Sequence, residues 1–537
     1  MGWNFADVWE VVAEQLPEAP AQVHGERVVT WGEFDRRADG VARALLDAGL
    51  GHQAKVAQYL YNAPEYLESL FGAYKAGMAP VNTNYRYGDD ELVYLWDNAD
   101  VQAVAFHGTF AERIDAVRER LPDVRLWLWV DDGTGPCPDW ATPYEQVATS
   151  GPGRVVAEWG RSDDDLYLLY TGGTTGKPKG VMWRQGDLFA VLNNSAVVRY
   201  DGQEGDLDVV RGALEQPGPV HLPACPLMHG TAAFSSFAMM SSGGSVVTLT
   251  NRSFDVVELL DAIEREGVNT MAIVGDAFAK PMLRALDAEP DRWDISSLFL
   301  IISSGVMWSE ETKQGLLRHH PHMLLADQFS SSEALGMGAS VSTADGASRT
   351  ARFQLGENAR VIDHEGNDVQ PGSGEIGRVA VKGRQPVGYY KDPEKTASTF
   401  LELDGERYSV PGDFAMVEAD GTLTLLGRGS VCINTGGEKV YPEEVEEALK
   451  THVGVHDAVV VGVPDERFGE AIAAVVEVVP GEQVDEEALI EHVRARLARY
   501  KAPRHVVTVA SIARSPNGKV DYRRLRELAT RQVGASA

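Results

Sequence analysis

Cysteine is scarce in this 537-residue chain: Cys137, Cys225 and Cys432 are far apart and odd in number. That suits neither a disulfide framework nor a CxxC metal clamp, and a reducing cytoplasm is the expected home. Cations are short as well. Lys and Arg number 49 against 79 Asp and Glu, a formal net charge of −30. Such a surface repels phosphate backbones and anionic lipid, which excludes nucleic-acid or membrane-surface binding as the main task. Any polyphosphate must therefore be held by a local device. No apolar run approaches the ~18 residues of a membrane span, so no integral membrane association is expected. The N-terminus is acidic and lacks an apolar core for a secretory leader, and Ala6 stands where a myristoylation signal needs Ser or Thr. Internal repeats and low-complexity stretches are missing too.

What is present is enough apolar matter, 44% of residues, for a large packed core. Helical stretches alternate with short β-branched runs. A helix is expected from Phe34, and strands at AKVAQYL from Ala54, VQAVAFH from Val101, DLYLLY from Asp165, SLFLIIS from Ser297 and GRVAVKG from Gly377. This is an α/β pattern, with a large N-terminal multi-sheet domain over 1–427. After about Phe400 the texture becomes short β runs broken by Gly and Asp, and a new unit starts with the helix PEEVEEALKTHV. A hinge is expected at 428–430, followed by a small α+β domain over 431–537.

The most informative stretch is Tyr170-Thr-Gly-Gly-Thr-Thr-Gly-Lys-Pro-Lys-Gly180, directly after DLYLLY. Glycines let backbone N–H groups approach a ligand, threonines add donors, and Lys177 and Lys179 bring charge, which together make a phosphate cradle. An ordinary flexible loop is the plain alternative, and two lysines in an acidic chain weigh against it. A Walker A loop is excluded, because Thr171 stands where its first Gly should be and Pro178 where its Ser or Thr should be. Two other patterns are decoys. Gly372-Ser-Gly-Glu-Ile-Gly377 satisfies GxGxxG but precedes a strand, so it reads as a hairpin turn. His319-His-Pro-His322 lacks Cys or acidic partners in register and reads as an exposed loop.

The cradle resembles the YTSGTTGxPKG signature of the adenylate-forming superfamily, which includes acyl-CoA synthetases, luciferase and peptide-synthetase adenylation domains. It departs at Gly172, where Ser is common. Further segments resemble that family's motifs in the same order: Phe329-Ser-Ser-Ser-Glu333, Tyr408-Ser-Val-Pro-Gly-Asp413, Gly427-Arg428, Asn434-Thr-Gly-Gly-Glu-Lys-Val-Tyr-Pro442 and Ser515-Pro-Asn-Gly-Lys519. Ser430 stands at a hinge position usually Asp or Lys, Asn434 where Lys is frequent, and Ala513 where Pro is usual. The phrases GVMWRQ and GRGSVCINTGGEKVYPEEVE look like a branch of fatty-acyl-CoA synthetases that includes steroid side-chain acid ligases.

The resemblance implies a carboxylic acid, ATP and CoA converted into acyl-CoA, AMP and pyrophosphate through an acyl-adenylate. It implies that Thr171, Gly172, Gly173, Thr174, Thr175, Gly176, Lys177 and Lys179 wrap the phosphates, and that Glu333 holds magnesium. Ser332 would donate to the α-phosphate and Phe329 stack on adenine, with Gln328, Ser330, Ser304 and Gly305 around the nucleotide. Asp413 and Arg428 would bind the ribose, and Lys519 would bridge carboxylate and α-phosphate. His229 would stand at the mouth of an acyl pocket with Phe234, and several methionines (Met228, Met239, Met240, Met307, Met337) would soften it. Gly436 and Gly437 would line the CoA channel once the small domain turns about Ser430. Each residue also has a plain reading: a cap for a helix starting at Glu333, a turn for Asp413, a surface lysine for Lys519, and structural roles for His229 and the methionines. Ser235 replaces the Asp that peptide-synthetase domains use to pair an amino group, so amino acids are not the expected acid. The expected substrate is a small apolar acid, either a medium- or long-chain fatty acid or a steroid side-chain acid. Two alternatives are a fatty-acyl-AMP ligase serving a carrier protein and a non-catalytic nucleotide-binding relative. Oligomeric state is open.

Lys519→Ala should abolish adenylate formation while leaving ATP binding nearly intact. Pyrophosphate release and nucleotide titration of the variant check this, and unchanged acyl-AMP formation would refute the assignment.

Overall fold

The computed structural model describes residues 2–536 except 172–176, 195, 307, 429–432, 436–437, 466–468, 498 and 516–519, with backbone alone at 428, 434, 438–439, 469 and 535–536. Three sheets organise the described residues. In the largest, of 15 strands, Pro20–His24, Ser245–Thr248, Val220–Pro223, Thr270–Ile273, Leu300–Ser304 and Leu324–Ser331 pair in parallel. The direction reverses at Ala334–Ser342, and the sheet continues antiparallel into Arg352–Leu355, Thr422–Arg428 and Asp413–Val417. The eight-stranded sheet has a parallel centre that includes Leu166–Thr171, Ala79–Asn82, Lys55–Tyr59 and Val101–His107. Lys179–Arg184 and Gly388–Tyr389 close one of its edges antiparallel.

The expected strands form; those from Ala54, Val101, Asp165 and Ser297 enter parallel pairs, where β-branched and aromatic runs that are apolar on both faces suit sheets covered by helices, whereas the one from Gly377 pairs antiparallel. Val101–His107 is buried at every position except Gln102. Helix Trp31–Asp47 starts earlier than expected, where the Thr30 hydroxyl accepts the Glu33 N–H at 3.2 Å.

Helix Gly230–Ser241 is held in place by an aromatic cluster. Phe237 lies 5.4 Å from Phe5 and 5.8 Å from Trp9 between ring centroids, and Trp9 stands edge-on to Phe71 at 5.3 Å. These rings join helices Phe5–Gln15, Pro64–Lys75 and Gly230–Ser241. Aromatic pairs of this geometry add ~0.5–1.5 kcal/mol each beyond area burial. Beneath them Lys75, with a fully buried side chain, is paired to Glu10, Asp35 and Asp39 at 2.7–3.0 Å. The helix that opens at His229 is thereby a rigid element.

The third sheet, of five strands, includes Val455–Asp465, Gly469–Val478 and His505–Val509 with helix Pro442–Lys450 against it. It starts at Ile433, after strand Thr422–Arg428 has completed the large sheet. At the junction Gly427, at φ 109°, has no room for a Cβ, because the Glu443 carboxylate occupies that space. No helix among the described residues is long and apolar enough to cross a membrane.

Candidate active site

One cleft of about 2520 Å³ opens where the three sheets meet. Its walls come from parts of the sequence hundreds of residues apart. Strand Leu166–Thr171 delivers Thr171, and strand Lys179–Arg184 starts at Lys179. Asn82 fixes that strand end: its side chain accepts the Tyr170 N–H at 2.6 Å and donates to the Tyr170 and Met228 carbonyls at 2.9 and 2.7 Å. Asn62 acts the same way one turn of chain earlier, accepting from Leu227 N–H at 2.7 Å and donating to the Cys225 carbonyl at 3.0 Å. Asn82 therefore ties strand Leu166–Thr171 to the segment that ends in His229, and Asn62, just after strand Lys55–Tyr59, holds that segment from a second point.

Phe329-Ser-Ser-Ser-Glu333 is a β-hairpin, not a helix cap. Strands Leu324–Ser331 and Ala334–Ser342 pair through Phe329–Gly338 and Ser331–Ala334, and Ser332 and Glu333 form the turn. The helix alternative fails because the serine hydroxyls serve the hairpin itself. Ser331 Oγ accepts the Ala334 N–H at 3.1 Å, and Ser330 Oγ accepts the Gly336 N–H at 3.2 Å. The turn is anchored by Trp183 Nε1 donating to the Ser332 carbonyl at 2.9 Å and Ser409 Oγ donating to the Glu333 carbonyl at 2.7 Å. Glu333 is 8% exposed and accepts the Tyr389 hydroxyl on Oε1 at 2.8 Å. A nearly buried carboxylate on the wall of an otherwise open cleft is a hard oxygen donor that suits magnesium, which commonly takes one or two carboxylates plus phosphate oxygens.

Phe329 packs against Phe353 at 5.5 Å and faces the cleft together with Gln328, Ser304 and Gly305. Ser303, by contrast, is turned inward: its hydroxyl accepts the Gly275 N–H at 3.0 Å. Asp413, 6% exposed, begins its strand beside Arg428 after Gly412, whose φ of 102° needs a glycine. On the far side of the cleft His229 precedes helix Gly230–Ser241, and Thr231, Ser235 and Ala238 of that helix face the cavity with Phe234, Met228 and Met239. Met240 and Met337 do not line it. Both are fully buried in core clusters, where dense packing claims them.

Ser235 is not an isolated hydroxyl. Its Oγ lies 3.0 Å from His221 Nε2, and His221 Nδ1 lies 2.8 Å from Thr270 Oγ1. Burial drives His221 down to about 3, so the relay is uncharged and offers nothing to balance an ammonium group. Beside the expected nucleotide residues, burial lifts Asp327 to about 7 against the opposing pull of the fully buried Lys313. Asp276 and Glu447 add repulsion.

Gly172, Gly173, Thr174, Thr175, Gly176, Ser430, Gly436, Gly437, Lys519, Met307, Cys432 and the Arg428 side chain lie outside the described residues. The approach to Lys519 is described. Arg514 is clamped to Asp457 by bonds of 2.5 and 2.9 Å, and Ala513 sits at φ 54°. Proline, locked near −65°, does not fit that backbone, which accounts for Ala513 where the resemblance expects Pro. Gly372-Ser-Gly-Glu-Ile-Gly377 links two antiparallel strands, as a hairpin turn does. The histidine run differs from the expected exposed loop: His319 ends helix Glu310–His319 and meets an acidic partner, Asp287, at 2.7 Å, because the fold packs that helix end against helix Asp276–Ala288. Asn62, Asn82, Tyr389 and Asp327 escaped the sequence reading, since nothing in their local spacing distinguishes them from strand or turn residues.

The family model for the AMP-binding enzyme matches residues 9–390, and that for the AMP-binding enzyme C-terminal domain matches 444–519. The chain belongs to the AMP-binding enzymes. The medium/long-chain-fatty-acid–CoA/3-oxocholest-4-en-26-oate–CoA ligase of Mycobacterium marinum is 41% identical over 534 residues, 98% of this chain and 96% of that one. The 3-oxocholest-4-en-26-oate–CoA ligase of Rhodococcus rhodochrous is 41% identical over 537 residues, 97% and 95% of the two chains. Among solved structures, ATP-bound MatB from Rhodopseudomonas palustris superposes with a TM-score of 0.81 at 25% identity, covering 99% of each chain. The anthranilate CoA ligase AuaEII reaches 0.83 at 20% identity over 99% and 98%, a likeness of fold.

This AMP-binding enzyme should carry a pH signature at Asp327. Its folded-state value lies above the ordinary 3.8, so the folded protein holds that proton more tightly than the unfolded chain does. The stabilisation is complete below pH ~4 and fades as pH rises through about 7. Denaturant unfolding of the parent and Asp327→Asn across pH 4–8 should show the parent losing stability relative to the variant, by an amount on the order of a few kcal/mol. Parallel curves would contradict it.

Proposed function

We propose that this chain is an AMP-forming acyl-CoA ligase acting on a medium- or long-chain fatty acid or a steroid side-chain acid. The observation that carries this reading is identity of 41% across nearly the whole length with ligases named for those acids. The cleft supports it: Met228, Phe234, Ala238 and Met239 line it beside His229, in the same cavity as Thr171 and Glu333. The uncharged Ser235–His221–Thr270 relay argues against an amino acid.

A carboxylate carbon carries an anionic oxygen that no nucleophile expels. In the proposed chemistry that oxygen attacks the α-phosphorus of ATP, pyrophosphate leaves, and the acid becomes an acyl-adenylate. The CoA thiol then loses its proton, its sulfur attacks the acyl carbon, and AMP departs. The chain's part is positioning and charge compensation. Thr171, Lys177, Lys179 and the loop between them face the β- and γ-phosphates, Ser332 the α-phosphate, Phe329 the adenine and Asp413 the ribose. Glu333 would hold a magnesium ion, which supplies charge neutralisation on the triphosphate when bound. Lys519 serves the first step. The segment 428–430 acts as the hinge between a domain over 1–427 and one over 431–537, and its rotation exchanges Lys519 for Gly436 and Gly437 beside the thiol.

Pyrophosphate release against short and long fatty acids, steroid side-chain acids and aromatic acids, with and without CoA, tests this. Turnover dependent on CoA with the fatty or steroid group is expected. A single stoichiometric burst indifferent to CoA would overturn it in favour of transfer to a carrier protein.

A further inference from the structure

Lys179, a lysine on which the proposed phosphate reading depends, already has a counter-ion. Its Nζ lies 2.6 Å from Asp392 Oδ2, with side-chain exposures of 38% and 31%. The two oxygens of Asp392 have separate duties. Oδ1 caps helix Pro393–Thr399 by accepting the Lys395 N–H at 2.9 Å, while Oδ2 takes the lysine. The lysine, more than any other group, holds this carboxyl below the usual range.

The pairing is set by backbone, not by two long side chains meeting in solvent. Strand Gly388–Tyr389 pairs with Met182 and Val181 at the start of the lysine's own strand, and the Tyr390 N–H donates to the Gly180 carbonyl at 2.8 Å. Tyr390 Oη and Lys391 Nζ then grip Asp100 at 2.7 and 2.6 Å. The same segment reaches the other anion-handling group, because Tyr389 donates to Glu333. A negative charge is thus fixed beside the cation that a triphosphate would approach. A fixed anion at that position lowers the lysine's pull on phosphate.

We propose that Asp392 is a positioning residue that shares Lys179 with the phosphates: it holds the lysine in the empty cleft and weakens its grip on bound pyrophosphate, favouring product release. This rests on the reading of 171–180 as the β,γ-phosphate site. A half-exposed ion pair of this kind is worth ~0.2–1 kcal/mol, a factor of up to about five in affinity.

Asp392→Asn tests it, because asparagine retains the capping oxygen and removes the charge. Calorimetric titration with inorganic pyrophosphate and with magnesium ATP is expected to show binding about two- to fivefold tighter, with KM for ATP falling in step and the thermal midpoint unchanged. Asp392→Glu, which keeps the charge, is expected to bind pyrophosphate as the parent does. Unchanged or weaker pyrophosphate binding in Asp392→Asn, or equal tightening in Asp392→Glu, would overturn the proposal. Lys179→Ala separates the two readings. It should weaken pyrophosphate binding, and if it does not, the phosphate-site reading itself falls.

Discussion

A triphosphate and a carboxylate repel each other, and a protein with thirty excess negative charges repels both. Joining them requires cations concentrated at one point and anions elsewhere kept away or neutralised. The described lining of the cleft carries Lys177 and Lys179 beside the start of strand Lys179–Arg184, Lys395 in the first turn of a short helix, and arginines that include Arg384, Arg514 and Arg524. Neighbouring structure positions the first two of these charges. Lys177 lies over the Tyr94 ring at 4.3 Å, and Lys179 is paired with Asp392. In water such groups would be worth little; in a walled cleft their orientation counts.

The rest of the architecture serves that concentration. The aromatic cluster of Phe5, Trp9, Phe71 and Phe237 fixes the helix behind His229, Asn82 locks the segment before it to strand Leu166–Thr171, and Asn62 holds the same segment from a second point. The hairpin at Phe329–Ala334 spends its serines on its own turn and is held from outside by Trp183 and Ser409, so Glu333 projects from a rigid point. On the side of His229 the cavity is lined by Met228, Phe234, Ala238 and Met239 with the hydroxyls of Thr231 and Ser235, and the His221 that Ser235 meets is neutral.

Much of this was legible in the chain. Apolar runs mark some parallel strands closely, as at Val101–His107, while the strand expected from Ser297 starts at Leu300 and others, such as Val220–Pro223 and Thr270–Ile273, were not marked. Ordered motifs along the sequence pick out Thr171, Phe329, Glu333 and Asp413, all of which line the cleft. What stayed hidden has a common physical character. Tyr389, Asn82 and Asp327 act through partners 56, 88 and 14 positions away, and no local spacing encodes such contacts. The serine run before Glu333 looked like a helix cap because Ser-rich turns and N-caps use the same side-chain-to-backbone bonds. Strand pairing with residues 334–342 decided between them. Ala513 looked like a defect in a motif until its left-handed backbone showed that proline does not fit there.

The central claim is that one cleft first joins acid to nucleotide and only afterwards admits a thiol. The most direct measurement is exchange of labelled pyrophosphate into ATP without CoA, with a long-chain fatty acid present or omitted. The account predicts exchange that requires the acid and needs no CoA. Turnover with CoA unaccompanied by acid-dependent exchange in its absence would contradict it.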